Sequence, residues 1–270
     1  VDQISPDIVV LKDQVEYPWQ VGCTPTALAI VVGYWDRNGF PNLIEGDSST
    51  YNDNVRKAIA SEGHYRDYYY ADGSSTINAD ASEGTAPVHA DDCLADFAMS
   101  SRSSLGMGDG WTKYGYEGIG IHGYASYRGY DEFSTTQKGW GGFSFANITA
   151  EIDAGRPVIL SVDSDANGSN DHNVVVFGYN SSTHQLMIHD GWFSTTETRW
   201  IDFTKSAAGQ AFGIVSATFV TPPDSSAYDD RVHFSHFVND GSGTLATYRD
   251  SLNVGGDLEI DLLANDSGLS

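Results

Sequence analysis

Positive charge is scarce in this sequence. Its 270 residues include 14 Lys and Arg against 37 Asp and Glu, which gives a formal net charge of −23. Phosphate backbones are bound by clusters of Lys and Arg, so this balance argues against a nucleic-acid partner. It argues equally against binding to anionic membrane surfaces. The composition favours instead an acidic, well-solvated surface that attracts cations.

Long apolar runs and cysteines are also few. No run approaches the roughly 18 apolar residues of a membrane-spanning helix, so no membrane span is predicted. Two cysteines, Cys23 and Cys93, cannot form a disulfide scaffold, but they leave open one bridge between them or one reactive thiol. No signal peptide is visible at Val1. Abundant Gly, Ser, Thr, Asn and Tyr with only three Met and few Lys favours either a secreted or cell-surface protein or a salt-adapted one.

Helical patterns dominate the first half of the chain and strand patterns the second half. A helix is predicted at 24–36, because Thr24 can cap it, Pro25 suits its first turn and apolar residues recur on one face. Further helices are predicted at 54–61, 90–99 and 146–154. Strands are predicted at 158–162, 172–179, 185–189, 199–203 and 213–220. This segregation predicts an α+β fold, with the Gly- and Tyr-rich stretch 106–142 interpreted as strands and long loops.

A domain boundary is predicted near the segment Thr221-Pro222-Pro223-Asp224. Residues 1–221 are then one domain, long enough to bury a sizeable core. Residues 222–270 are strand-like and acidic, and they are interpreted as a C-terminal β-rich extension or linker.

Cys23 directly precedes the first predicted helix. The unpaired N–H groups at a helix N-terminus favour a neighbouring negative charge, which lowers the pKa of a thiol placed there and can also stabilise an oxyanion. This position therefore predicts a nucleophile. A buried inert Cys, or one half of a Cys23–Cys93 bridge, explains the same segment equally well.

Two further polar residues lie at strand ends in the second half. His172 leads directly into the apolar strand, and Asp190 ends the next one. An Asp there can accept the ring N–H of His172 and fix its orientation, as in a catalytic triad. Alone, His172 can be a hydrogen-bonded structural residue and Asp190 a turn residue. The order Cys, His, Asp is much less probable by chance than any one part, and it predicts a thiol–imidazole pair built across a cleft.

Several segments resemble papain-like cysteine peptidases. They are His172-Asn-Val-Val-Val-Phe-Gly-Tyr179, where the catalytic His opens a strand ending in Gly-Tyr; Ile188-His-Asp190-Gly-Trp192, where papain relatives carry Asn-Ser-Trp; and Ala154-Gly-Arg-Pro-Val158. Trp19 to Ala27, with Gly33-Tyr-Trp-Asp36 and Gly39-Phe-Pro-Asn-Leu43, resembles the bacterial and archaeal branch related to peptidases that process bacteriocin (double-glycine) leaders. The resemblance spans about residues 8–220 and implies a prokaryotic source.

The resemblance implies a papain-like fold in which a helical lobe carrying the nucleophile helix packs against an antiparallel β-sheet or barrel lobe. It implies hydrolysis of peptide bonds through an acyl-enzyme, with Cys23 as nucleophile, His172 as base and then acid, and Asp190 as the orienting group. Relatives carry an oxyanion-donating Gln six residues before the Cys, where this chain has Tyr17. Gln14 and Gln20 are the candidates for that role, with Gln14 slightly favoured.

The implied partner is a protein or peptide substrate, and no cofactor is required. Two alternatives stay open. One is an amidase or acyltransferase that uses the same triad; the other is a secreted binding or adhesion module without catalysis.

Residues 163–171 resemble the front half of a calcium loop. Oxygen ligands stand at positions 1, 3 and 5, as Asp163, Asp165 and Asn167, and Gly168 stands at position 6. The acidic residue expected at position 12 is Val174, so the loop is not a complete EF-hand. A calcium ion here would order the loop before His172, whereas a polar turn explains the same residues.

Overall fold

The structure is a computed structural model that describes residues 1–5, 7–68, 89–192, 199–223, 236–239 and 245–248. The chain divides into two compact units, Val1–Pro223 and Asp224–Ser270. The division falls two residues after the boundary predicted at residue 221. The role of the second unit stays a prediction.

The first unit contains one long buried helix. In the described residues the helices of this unit are α1 (Cys23–Arg37), α2 (Asp53–Ile59), α3 (Glu62–Tyr68), α4 (Leu94–Phe97), α5 (Glu117–Tyr127) and α6 (Phe145–Asp153). Every residue of α1 from Thr24 to Trp35 is buried. A helix without an exposed face needs partners all round, and α1 packs on α2, α4, α5 and two central strands. None of the helices in the described part has the length and hydropathy of a membrane span.

The strands of the first unit form one antiparallel sheet. They are β1 (Asp2–Ser5), β2 (Ile8–Val10), β3 (Ser134–Gly139), β4 (Val158–Asp163), β5 (His172–Asn180), β6 (Gln185–His189), β7 (Arg199–Asp202) and β8 (Gly213–Thr221). The order is β1-β2-β5-β4-β8-β3, and β6 joins β5 to β7. Among the described strands, β3 and β7 each pair on one side only, so the sheet is open and not a barrel. The predicted α+β class is confirmed.

Strand β5 holds the middle of this sheet. Its first half pairs with β4, its last three residues pair with β2, and β6 lies along its other edge. Every residue from His172 to Tyr179 is buried. Strands covered on both faces read as continuous apolar runs, which explains the sequence Val-Val-Val-Phe after Asn173. The strand therefore fixes His172 at a defined place where the sheet meets α1.

The prediction for residues 106–142 is only partly right. The stretch contains β3, as predicted, but also the helix α5, which was not predicted. Glycine lowers helix propensity, and α5 carries three glycines because its neighbours approach closely. A Cβ at Gly120 would lie 2.6 Å from Leu28 Cδ1, and one at Gly118 would lie 2.5 Å from Thr135 Oγ1. Packing against α1 and β3 thus overrides the local propensity.

The described residues of the second unit form an antiparallel pair of strands, β9 (His236–Asn239) and β10 (Leu245–Tyr248). The remaining residues of the predicted extension lie outside the described part of the chain.

Candidate active site

An open cavity of about 190 Å³ lies where the start of α1 meets the start of β5. It is large enough to admit part of a peptide as well as water. Its lining residues come from four segments: Trp19, Gly22, Cys23 and Thr24; Asp109 to Thr112 with Tyr114; Glu117; and Asn170 to Asn173. The structure thus brings the predicted nucleophile Cys23 and the predicted base His172 to one cavity.

Cys23 is the first residue of α1, and it is half-buried. The N-cap residue, Gly22, has no side chain to cap the N–H groups of the first turn. Burial raises the pKa of the Cys23 thiol above its ordinary 9.0, although hydrogen bonds from the backbone N–H of Asn173 and from Thr24 act to lower it. The lowered pKa expected from the helix N-terminus is therefore wrong for the resting protein, because desolvation outweighs the N–H groups.

The bridge between the two cysteines is not formed, since both thiols are free. Cys93 lies at the N-cap of α4, fully buried, and its thiol donates to Asp96 Oδ2 at 3.0 Å. Burial and the charge of Asp96 raise its pKa well above 9.0. Cys93 is therefore a poor nucleophile, and Cys23 is the thiol that faces a cavity.

Two glycines bring the wall of the cavity close to Cys23. A Cβ at Gly22 would lie 2.0 Å from the Gly110 carbonyl oxygen, and a Cβ at Gly110 would lie 2.1 Å from the Val21 carbonyl oxygen. Any side chain at Gly22 would force the two backbones apart. Ser101 holds the loop of Gly110 through two hydrogen bonds, one from the Gly110 N–H to Ser101 Oγ and one from the Ser101 N–H to the Trp111 carbonyl.

His172 is held by the backbone of Asp190. Its Nε2 lies 2.7 Å from the Asp190 carbonyl oxygen. A carbonyl can only accept, so Nε2 carries the hydrogen and Nδ1 keeps the lone pair that a base requires. The Trp192 ring packs against the imidazole, with ring centroids 4.9 Å apart. Burial lowers the pKa of His172 below its ordinary 6.5 and outweighs the Asp190 carbonyl and the charge of Asp171.

The Asp190 carboxylate has other partners. It is fully buried; its Oδ1 accepts the Trp192 N–H at 3.1 Å, and its Oδ2 lies 3.3 Å from Arg199 Nη2. The sequence predicted that the carboxylate of Asp190 orients His172. In the structure the main-chain carbonyl of the same residue contacts the ring, while the carboxylate acts on the ring through its charge.

Neither predicted oxyanion glutamine lines the cavity. Gln14 Oε1 bonds His189 Nε2 at 2.9 Å. Gln20 Nε2 donates to the Arg56 carbonyl, and Gln20 Oε1 accepts the Tyr51 hydroxyl, each at 2.9 Å. The segment before α1 thus directs the Gln14 side chain toward β6 and the Gln20 side chain toward α2, away from the cavity. The donors beside the Cys23 sulfur are the backbone N–H of Asn173, the side chain of Thr24 and the backbone N–H groups of Thr24 and Cys23.

A polar network that the sequence did not reveal supports the site. Asn173 Nδ2 donates to Thr24 Oγ1 at 2.7 Å and to Glu117 Oε1 at 3.3 Å. Glu117 is buried, and its Oε2 accepts the Gly115 N–H and Gln137 Nε2. The network ties α1, α5 and β5 together at the cavity. Asn173 could have been suspected as the neighbour of His172, whereas Glu117 lies in the helix that sequence reasoning missed.

The cavity wall is acidic and partly aromatic. Asp109, Glu117 and Asp171 line it, and its lining contains no Lys or Arg. Trp111 and Tyr114 belong to the same wall and leave 60% and 49% of their surface exposed. Large exposed aromatic side chains are typical of binding surfaces. This wall is suited to a ligand that carries positive charge and apolar groups.

The predicted calcium loop is organised by its own hydrogen bonds. Asp163 accepts the N–H groups of Asn167 and Gly168, and Asp165 accepts the side-chain amide of Asn167. Asn167 Oδ1 accepts the Ser169 N–H. Carboxylate oxygens of Asp163, Asp165 and Asp171 lie within 4.8 Å of one another, a spacing that admits a cation. Calcium binding at this loop stays a prediction.

Comparison with known proteins identifies a protein family that matches this chain. The model of the Peptidase_C39 like family matches residues 7–215. Similar solved structures include a C39-like peptidase from Bacillus anthracis (15% identity, TM-score 0.40, 80% of this chain and 99% of that chain) and the interpain A cysteine protease of Prevotella intermedia (14%, 0.42, 80% and 98%). Xylellain, a cysteine protease from Xylella fastidiosa, is similar too (13%, 0.39, 81% and 87%). A comparison with curated proteins finds no match.

The family match covers most of the chain and includes Cys23, His172 and Asp190. It confirms the resemblance to cysteine peptidases, while the branch that processes bacteriocin leaders is not separated by it and stays a prediction. The chain belongs to the Peptidase_C39 like family and is a cysteine-type peptidase.

Proposed function

We propose that this chain hydrolyses peptide bonds with Cys23 as nucleophile and His172 as general base and acid. One observation carries the proposal: Cys23 and His172 line the same cavity, and the bond from His172 Nε2 to the Asp190 carbonyl leaves Nδ1 as the proton acceptor. Asp190 is a positioning residue that fixes the tautomer of the imidazole. Burial raises the pKa of the Cys23 thiol and lowers that of the His172 imidazole, so it favours the neutral form of both groups.

The reaction then proceeds in two transfers. The thiol proton of Cys23 moves to His172 Nδ1 while the sulfur bonds the substrate carbonyl carbon. The C–N bond breaks, and His172 gives its proton to the leaving amine, which leaves a thioester on Cys23. Water then loses a proton to His172 as its oxygen attacks the thioester carbon. The C–S bond breaks, the acid product leaves and the proton returns to the sulfur.

The negative oxygen of each tetrahedral intermediate requires N–H donors. The N–H groups of Cys23 and Thr24 at the start of α1 are suited to this role, because Gly22 provides no capping side chain. The same groups already hydrogen-bond the sulfur. This assignment replaces Gln14 and Gln20, whose amides are bound elsewhere.

The proposed substrate is a peptide with basic and apolar side chains near the cleaved bond. Asp109, Glu117 and Asp171 give the cavity its negative charge, and Trp111 offers an exposed ring. Among the described residues, the side-chain oxygens of Asn170 and Asn173 are buried without a hydrogen-bond partner. Both residues line the cavity, so these oxygens can accept N–H groups of a bound peptide backbone.

The test uses a peptidyl electrophile with a basic side chain, and its matched variants are C23A and C93A. We expect cleavage of basic reporter peptides and covalent labelling of Cys23 in the unaltered chain. Both are expected to persist in C93A and to be lost in C23A. Labelling that follows Cys93, or cleavage that survives in C23A, would contradict the proposal.

Two alternatives have their own outcomes in the same assay. An acyltransferase would join the acyl group to an added amine in preference to water, and mass spectrometry of the products separates the two. A binding module would hold the peptide without labelling or cleavage. The calcium loop before His172 and a secreted location are further proposals, which calcium titration and fractionation of the natural source would test.

A further inference from the structure

A second group of reactive side chains lies among the helices, and none of its members lines the cavity of Cys23. We call it the Cys93 cluster: His64 in α3, His89 before α4, Cys93 at the N-cap of α4 and Asp96 in α4. Residues from both sides of the stretch 69–88 thus meet at one carboxylate. The cluster's four side chains are of three types that bind transition metals: imidazole, thiol and carboxylate.

Asp96 is the centre of the cluster. Its Oδ1 lies 2.8 Å from His64 Nδ1, while its Oδ2 lies 3.0 Å from His89 Nε2 and 3.0 Å from Cys93 Sγ. The donor atoms of His64, Cys93 and Asp96 lie within 4.8 Å of one another, and those of His89, Asp92 and Asp96 do the same. The two sets share only Asp96, so binding of one ion by all four side chains requires His89 to move toward His64 and Cys93.

Burial distinguishes this cluster from a chance group of surface acids. His64 and Cys93 are fully buried and Asp96 is 1% exposed. Polar groups in a protein interior are costly unless bonded. A thiol, two imidazoles and a carboxylate are also the donor set that suits a tetrahedral Zn²⁺ site.

We propose that the Cys93 cluster is a structural zinc-type metal site. The ligands are His64 Nδ1, His89 Nε2, Cys93 Sγ and one carboxylate oxygen of Asp96. Binding releases two protons to solvent, the thiol proton of Cys93 and the Nε2 proton of His89, and it moves the ring proton of His64 from Nδ1 to Nε2. His89 keeps its Nδ1 proton, which it donates to Asp67. Bonds to the ion replace the hydrogen bonds of these three groups to Asp96, and no redox partner is needed.

Groups around the cluster fit this assignment. His89 Nδ1 bonds Asp67 Oδ2 at 2.7 Å, so the ring can present Nε2 to an ion with its other nitrogen held by a carboxylate, as is usual for metal-bound histidines. Arg102 Nη2 lies 3.8 Å from Asp96 Oδ1. This cation faces Oδ1, the oxygen that also bonds His64 Nδ1, whereas Oδ2 lies beside Cys93 and His89.

The site would support the active-site wall. Helix α4 leads directly into Ser100 and Ser101, which bond the loop of Gly110 and Thr112. An ion that joins α3 to the start of α4 would therefore stabilise the base of the cavity without contact with Cys23. Its loss is expected to lower the melting temperature more than the rate of the chemical step.

The experiment titrates the chelator-treated full chain with Zn²⁺ and with Co²⁺. We expect one ion per chain, a higher melting temperature, and a cobalt spectrum with a sulfur-to-metal charge-transfer band. The two cysteines supply the matched variants: C23A should keep the band and the ion, and C93S should lose the band.

Two further variants keep the proposal falsifiable if C93S does not fold. H89Q should weaken Co²⁺ binding, and D67N should weaken it about 10- to 100-fold by releasing the ring of His89. A cobalt spectrum without the sulfur band, a band that disappears in C23A, or affinity unchanged in both H89Q and D67N would overturn the proposal. Cleavage that depends on Cys23 is a separate readout, so failure of this site would leave the peptidase proposal untouched.

Discussion

The two thiols of this chain both stand at the start of a helix, yet their surroundings differ. Cys23 opens the long helix α1 and faces a cavity that also contains an imidazole with a free acceptor nitrogen. Cys93 caps the short helix α4, is fully buried and donates to the carboxylate of Asp96. Burial raises the pKa of both thiols. A helix N-terminus therefore does not by itself make a nucleophile; access and a neutral base beside the sulfur decide the difference.

The largest expected effect comes from removing that base. Without His172 the Cys23 thiol has no proton acceptor, so H172A should lower kcat by about 10²- to 10⁴-fold. Labelling of Cys23 by the peptidyl electrophile should slow with it. Steady-state kinetics on a basic reporter peptide measures the loss.

His122 supplies the control for that variant. It is an exposed histidine on α5 whose ring bonds the Phe133 carbonyl, away from the cavity lining. H122A should keep the kcat of the unaltered chain. Equal activities of H172A and H122A would show that His172 is not the base for Cys23. The proposed difference between the two thiols would then be contradicted.

A second test adds a methyl group at Gly22, beside Cys23. In G22A the new Cβ would lie 2.0 Å from the Gly110 carbonyl oxygen, so the two backbones must separate. We expect a loss of about 1–3 kcal/mol in the free energy of unfolding, with a fall in kcat, because overpacking shifts the backbone. Urea unfolding measures the first quantity.

Gly139 is the matched glycine for this experiment, because a Cβ there meets nothing within 4 Å. G139A should change the free energy of unfolding by less than about 1 kcal/mol, in either direction. Equal stability of G22A and G139A would show that the approach of the two backbones is not tight in solution.

A smaller effect is expected at Asp190. Where a carboxylate alone orients the catalytic histidine, its change to an amide costs about 10⁴-fold in kcat. Here the main-chain carbonyl contacts His172 Nε2, and this carbonyl is kept in D190N. We therefore expect a loss below about tenfold, or about 1.4 kcal/mol in the activation free energy. A loss of kcat in D190N as large as that in H172A would show that the carboxylate, and not the main-chain carbonyl, orients His172.

The sequence predicted the helix and strands that position the site. It did not predict an element whose formation depends on packing between distant residues. The helix at 24–36 and the strands at 172–179 and 185–189 have regular apolar patterns, and the structure confirms them within one residue at each end. Helix α5 was missed because Gly118 and Gly120 lower its local propensity. Those glycines are required by Thr135 and Leu28, which are distant in sequence and approach only in the fold.

The candidate site shows the same limit. Spacing and order predicted that Cys23 and His172 meet, and they line one cavity. Spacing could not predict the direction of the Gln14 and Gln20 side chains, since each has found a partner on another element. Nor could it predict that burial would outweigh the helix N-terminus in setting the pKa of Cys23.

The smallest expected effect is a shift of the two pH midpoints that His172 and Cys23 give to the activity. It tests whether burial outweighs the helix N-terminus in setting the pKa of Cys23. The pKa of His172 lies below 6.5, so the imidazole stays a neutral base until the pH falls below that value, and the acid limb of kcat/KM should lie there. The pKa of Cys23 lies above 9.0, so the alkaline limb should lie above that pH. Alkylation of native C93A by iodoacetamide should likewise rise with pH up to a midpoint above 9.0, because only the thiolate reacts. A midpoint below 6.5 would mean that the thiolate–imidazolium pair already exists at rest, and the two thiols would then differ in charge as well as in access.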